Sequence, residues 1–223
     1  MGRFTRRLEP ACIDTDVRFL PGGIFAKTQP RAASRNPPRH GVTSEVSRRL
    51  PGDPPPADAI ARMLRVDHAG EYGATRIYEG QLEVLGHGRA GVIRQMVEAE
   101  GRHLARFETL LRERRVRPTL LHPLWTVAGY TLGAATALLG ERAAMACTVA
   151  VEEVIDEHYR RQAVQLGDAD PALRETLLSF RDDEIAHRDL AIREGAQESA
   201  GYDLISAVVK TGSRLAIWLS TRL

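Results

Sequence analysis

Two copies of one spacing constrain this chain more than any other feature. Glu71 is followed 29 residues later by Glu100-x-x-His103, and Glu152 is followed 32 residues later by Glu184-x-x-His187. Positions i and i+3 share a helix face, so each Glu-x-x-His sets a carboxylate beside an imidazole. A lone Glu-x-x-His is common on solvated helices, but these motifs lie on apolar stripes. Ile60, Leu64, His68, Glu71, Ala74, Tyr78 and Leu82 recur at steps of three or four, as do Ile93, Met96, Glu100, His103, Phe107 and Leu111. The same steps join Met145, Val149, Glu152, Ile155 and Tyr159, and then Leu173, Leu177, Phe180, Glu184, His187 and Ala191. Such steps mark the inward face of an amphipathic helix, and each glutamate sits mid-stripe.

Four inward carboxylates need compensation, because a buried ion costs roughly several kcal/mol unless it is paired or protonated. Two divalent cations balance four glutamates. Carboxylate-rich positions with one imidazole per metal suit iron or manganese, and iron is the better fit if the chemistry uses oxygen. The only cysteines, Cys12 and Cys147, form no Cys-x-x-Cys zinc motif and no disulfide framework.

At 223 residues the chain suits one domain and a tail. Residues 1–57 carry ten Lys/Arg against five Asp/Glu, and nine of the twelve prolines. With no sustained period, this segment reads as mostly disordered. Its arginines resemble a transit peptide, but Glu9, Asp14 and Asp16 argue against one. Twenty-nine arginines against two lysines point to a GC-rich, bacterial source. A net charge of +2 gives no reason to expect nucleic acid.

From 58 to 223 the pattern predicts helices over about 57–85, 92–114, 141–166 and 171–197, and a last one after Gly201. Four long helices with one long middle connection predict an all-α, ferritin-like four-helix bundle. The connection, 118–140, holds 23 residues without a formal charge. Its prolines, glycines and threonines argue against a membrane span, leaving a buried crossover helix or one lying in a membrane interface. In it, Gly129 and Gly133 form a small-xxx-small pair suited to close helix contact. The C-terminal stretch sets Leu204, Val208, Leu215, Leu219 and Trp218 against Lys210, Arg214 and Arg222, an amphipathic helix of interfacial type. Together the two segments favour peripheral membrane attachment.

Several stretches carry a family resemblance: Arg65-Val-Asp-His-Ala-Gly-Glu-Tyr-Gly-Ala74, Val116-Arg-Pro-Thr119, Pro123-Leu-Trp125, Thr136-Ala-Leu-Leu-Gly140, Ala144-Met-Ala-Cys-Thr-Val-Ala-Val-Glu-Glu153 and the ending Ser213 to Leu223. Over about residues 58–223 the chain resembles the demethoxyubiquinone hydroxylases of ubiquinone biosynthesis. The resemblance implies a di-iron monooxygenase that uses O2 to hydroxylate the ring of a polyprenylated methoxy-methyl-benzoquinol. Glu71, Glu100 and His103 would hold one iron, and Glu152, Glu184 and His187 the other, with Glu100 and Glu184 as bridges. His158 and Tyr159 match family positions near the centre, touching substrate or a ligand, or only packing. Electrons would come from reduced nicotinamide or the quinol itself, and other proteins of a biosynthetic complex are implied partners. The implied location is the cytoplasmic face of a cell inner membrane, or the matrix face of the mitochondrial one. No nucleotide-binding glycine fingerprint is visible; Gly70 and Gly73 fall inside a helix and read as close-packing positions. Two competing readings use the same six residues: an iron-storage or peroxide-scavenging bundle, and a membrane-surface scaffold with a vestigial metal site.

Overall fold

The computed structural model describes residues 56–86 and 91–223. The expectation of a disordered segment over 1–57 lies almost wholly outside the described residues. Six helices follow in order: α1 (Pro56–Leu85), α2 (Gly91–Glu113), α3 (His122–Leu138), α4 (Glu141–Leu166), α5 (Pro171–Arg193) and α6 (Tyr202–Ser220). Among the described residues there is no strand. Helices α1, α2, α4 and α5 carry the four expected stripes, α3 is the crossover, and the whole is a ferritin-like bundle.

The chain ends each helix by local chemistry. Asp170 caps α5, its carboxylate accepting from the Leu173 N–H at 3.1 Å, and Pro171 fills the first turn, where no N–H is needed. Arg114, just past α2, pairs with the same Asp170 and ties the two connections together. Helix α5 stops at Arg193, short of the expected 197, because Gly195 takes a left-handed φ of 86° and a single 3-10 turn follows. The stripes meet in two apolar clusters. One is built on Leu64, Phe107, Tyr159, Leu173 and Leu177, the other on Tyr78, Ile93, Met96, Met145 and Val149. Each such side chain stabilises the fold by about 1.5–3 kcal/mol through burial.

The crossover packs one face on α1, as expected of a crossover helix, and leaves the other exposed. One face lies on α1 so closely that a Cβ at Gly133 would run into the Ile77 carbonyl, and one at Gly129 would lie 2.9 Å from the Gly73 carbonyl. Gly80 on α1 has the same relation to the Tyr130 carbonyl of α3. The opposite face leaves Leu124, Val127 and Leu138 exposed. No helix among the described residues is long and apolar enough to cross a membrane. Gly133→Ala is expected to push α3 off α1 and cost about 1–3 kcal/mol. A thermal melt checks this, and an unchanged midpoint would remove the contact from the stability of the bundle.

Candidate metal centre

Helices α1, α2, α4 and α5 bring Glu71, Glu100, His103, Glu152, Glu184 and His187 into one nest. All four glutamates are fully buried and His103 nearly so. The ligating atoms of Glu71, Glu100, His103 and Glu184 lie within 4.8 Å of one another, and so do those of Glu100, Glu152, Glu184 and His187. Glu100 and Glu184 belong to both groups and lie between two positions. His103 Nδ1 is 3.1 Å from Glu184 Oε1 and 3.6 Å from both Glu71 Oε2 and Glu100 Oε2. His187 Nδ1 is 3.1 Å from Glu100 Oε1 and 3.3 Å from Glu184 Oε2.

The donor set fits metal on an observation independent of the motif. At least one buried atom of every one of the six residues has no well-directed hydrogen bond, including both oxygens of Glu100 and Glu184 and Nδ1 of both histidines. Buried polar atoms are rarely left so, and here the orphans all point inward. Without cations, protons must carry the compensation. Burial, with Glu100 nearby, raises the Glu71 carboxyl well above its usual range; burial, with Glu184 and Glu100, does the same to Glu152. Burial opposes ionisation of Glu100 too, but the imidazoles of His103 and His187 beside it bring it down to about 2. Against burial, Glu100 and Glu184 raise His187 to about 9, and Glu100, Glu184 and Glu71 raise His103 strongly. A divalent ion would displace these protons, as ligation requires deprotonated donors.

Two tyrosines complete the nest reciprocally. Tyr159 on α4 donates to Glu71 Oε1 on α1, and Tyr78 on α1 donates to Glu152 Oε1 on α4. Sequence reasoning placed Tyr78 on a stripe and missed its role. The signal was present: each tyrosine follows its own helix's glutamate by seven residues, in both halves. His158 turns away from the nest, its Nε2 2.9 Å from Asp67 Oδ1, while the Gln162 amide donates to the same oxygen at 2.7 Å.

Beside the nest lies a cavity of about 370 Å³, walled by α1, α3, α4 and α6. Glu71, Tyr159, Asp67 and His158 line its wall, and Trp125, Leu132, Ile155 and Ile217 make it apolar. Gly70, Gly73 and Gly212 also line it, and a Cβ at any of them would meet nothing within 4 Å. Gly70 and Gly73 were expected to permit close packing; their missing side chains instead leave the cavity open. Val208 lines it while 59% exposed, so the cavity reaches the surface beside α6. The Trp125 indole N–H donates to Ser220 Oγ at 3.1 Å and joins α3 to the end of α6. The expected basic face of α6 is largely engaged: Lys210 pairs with Glu153, and the Arg222 guanidinium lies 4.0 Å over the Trp218 ring.

The pattern of the family described as "Ubiquinone biosynthesis protein COQ7" matches residues 58–220. A "3-demethoxyubiquinol 3-hydroxylase" of Rhodospirillum rubrum is 55% identical over 176 residues, 78% of this chain and 83% of that one. A human "NADPH-dependent 3-demethoxyubiquinone 3-hydroxylase, mitochondrial" is 49% identical over 170 residues, covering 74% and 78%. A "5-demethoxyubiquinone hydroxylase, mitochondrial" of Saccharomyces cerevisiae is 41% identical over 182 residues, covering 74% and 78%.

Proposed function

The chain belongs to the COQ7 family of ubiquinone biosynthesis proteins, and from that premise we propose that it is a di-iron monooxygenase hydroxylating the ring of a demethoxyubiquinol. The observation that carries this reading is the apolar cavity sharing Glu71 and Tyr159 with the carboxylate nest. A storage protein or a scaffold has no use for such a cavity. Its volume falls within the range of about 300–1,000 Å³ common to small-molecule sites. A substituted quinol ring with the start of its isoprenoid tail fits; the remaining tail must leave along the apolar faces of α3 and α6.

Glu71, Glu100 and His103 would hold one iron, and Glu152, Glu184 and His187 the other, with Glu100 and Glu184 shared. Iron, when bound, supplies the reduction of O2 and the delivery of one oxygen atom to the ring. The protein's own share is positional. Tyr78 and Tyr159 fix the two outer glutamates by hydrogen bonds. The apolar wall excludes water from the reacting ring. Asp67 and Gln162 engage Nε2 of His158 at the edge of the cavity, leaving Nδ1 as the atom that would bond a quinol hydroxyl. The human relative's name specifies NADPH, and a reduced nicotinamide is the proposed electron source. Purified enzyme given reductant, a short-tailed demethoxyubiquinol and 18O2 should place one labelled oxygen on the ring. Product lacking the label would overturn the assignment.

The substrate's tail also supports peripheral membrane attachment. Leu124 and Val127 of α3 and Leu204, Leu215 and Trp218 of α6 are all at least half exposed. Such rows next to a cavity mouth suit a bilayer surface. The double variant Leu124→Glu, Leu215→Glu should lose flotation with anionic phospholipid vesicles while melting as the parent does. Unchanged flotation would remove these faces from membrane binding.

A further inference from the structure

The two halves of the nest are not equivalent. In one, His103 turns Nδ1 inward and sets its outer nitrogen, Nε2, 3.1 Å from Asp183 Oδ2. Phe180, one turn earlier on α5, stacks on the same imidazole with ring centroids 4.0 Å apart and planes 23° from parallel. His187 also turns Nδ1 inward, but among the described residues no side chain bonds its Nε2 and no aromatic ring stacks on it. The repeat shows why. Asp183 stands immediately before Glu184; the residue before Glu100 is Ala99, which is buried and has no acceptor to offer.

We infer that Asp183 is a positioning residue that makes the Glu71–Glu100–His103 position the tighter of two unequal metal positions. This rests on the two-metal reading given above. An acceptor on Nε2–H fixes the tautomer that leaves the Nδ1 lone pair free for a metal. With Phe180 holding the ring plane, His103 is set before the ion arrives. His187 has neither restraint and must be ordered by the metal itself. That ordering costs entropy, so the second position fills later.

Asp183 can be changed without emptying the core, since its side chain is 56% exposed. The metal-free full-length chain is titrated anaerobically with Co2+ alone, followed by visible absorption and calorimetry. The parent should show two steps of unequal affinity. Asp183→Asn should weaken the tighter step by about 10–100-fold, the usual effect of losing such a partner, and leave the weaker step in place. Asp183→Glu should recover most of the difference. A general structural defect would instead weaken both steps and lower the melting temperature. Equal steps in the parent, or an Asp183→Asn titration matching the parent or weakened alike in both steps, would overturn the inference while leaving two metals standing. A parent that takes up no Co2+ overturns the two-metal reading itself.

Discussion

Glu184→Ala is expected to remove ring hydroxylation and leave a folded, helical chain. Glu184 offers both oxygens to the nest, one 3.1 Å from His103 Nδ1 and the other 3.3 Å from His187 Nδ1. It belongs to both groups of potential ligands, so its loss damages both positions at once. Substituting a partner one step behind a metal ligand already costs about 10–100-fold, so a shared ligand should cost more than about 100-fold in activity. Stability of the metal-free chain should not fall as it does in an ordinary core truncation. A cavity in a core usually costs about 2–5 kcal/mol, but here the change also removes one of four crowded carboxyl groups from a buried site. The metal-free variant should therefore melt close to the metal-free parent, while the metal-loaded parent melts higher. Activity, iron content and far-UV circular dichroism of one preparation check all three points. Full activity would exclude Glu184 from the chemistry.

Gly212→Phe should abolish turnover by a different route. Gly212 lies on α6 and lines the cavity, and a Cβ there meets nothing within 4 Å. A benzyl group would occupy the space meant for the ring or its tail. The glycine sits inside a helix, where a side chain is favoured by roughly 0.5–1 kcal/mol, so the fold should not weaken. The ligands are untouched, and iron content should equal the parent's. The combination of lost turnover, full metal and an equal or higher melting point separates a blocked cavity from a broken centre. Normal kinetics with a short-tailed quinol would show that the substrate does not use this space.

Much of this arrangement is legible in the sequence. Glutamate and histidine three residues apart on an apolar stripe, twice over, bear on helix, face and chemistry together. That is why four bundle helices and the convergence of six side chains could be anticipated. The crossover was harder, because its sequence suits both burial and exposure. Gly129 and Gly133 serve the face against α1, and Leu124 and Val127 serve the opposite face. The end of α5 was set too late because the apolar pattern runs on to buried Ala196, and only a left-handed Gly195 ends the helix first. The tyrosine pair left a trace in its sevenfold offset, but donation across helices depends on how α1 and α4 face each other. Asp183 left none, since beside Asp182 it reads as one more solvated acid. The cavity was hidden for a simpler reason: it is made by side chains that glycines lack.

Iron stoichiometry of the full-length parent, reconstituted anaerobically with Fe2+ and desalted, tests the six-residue centre most directly when Mössbauer spectra are recorded on the same sample. Two irons per chain should be found, in two unequal environments of oxygen and nitrogen ligands that couple magnetically on oxidation. One iron or fewer per chain, or two that remain uncoupled, would contradict a shared centre bridged by Glu100 and Glu184.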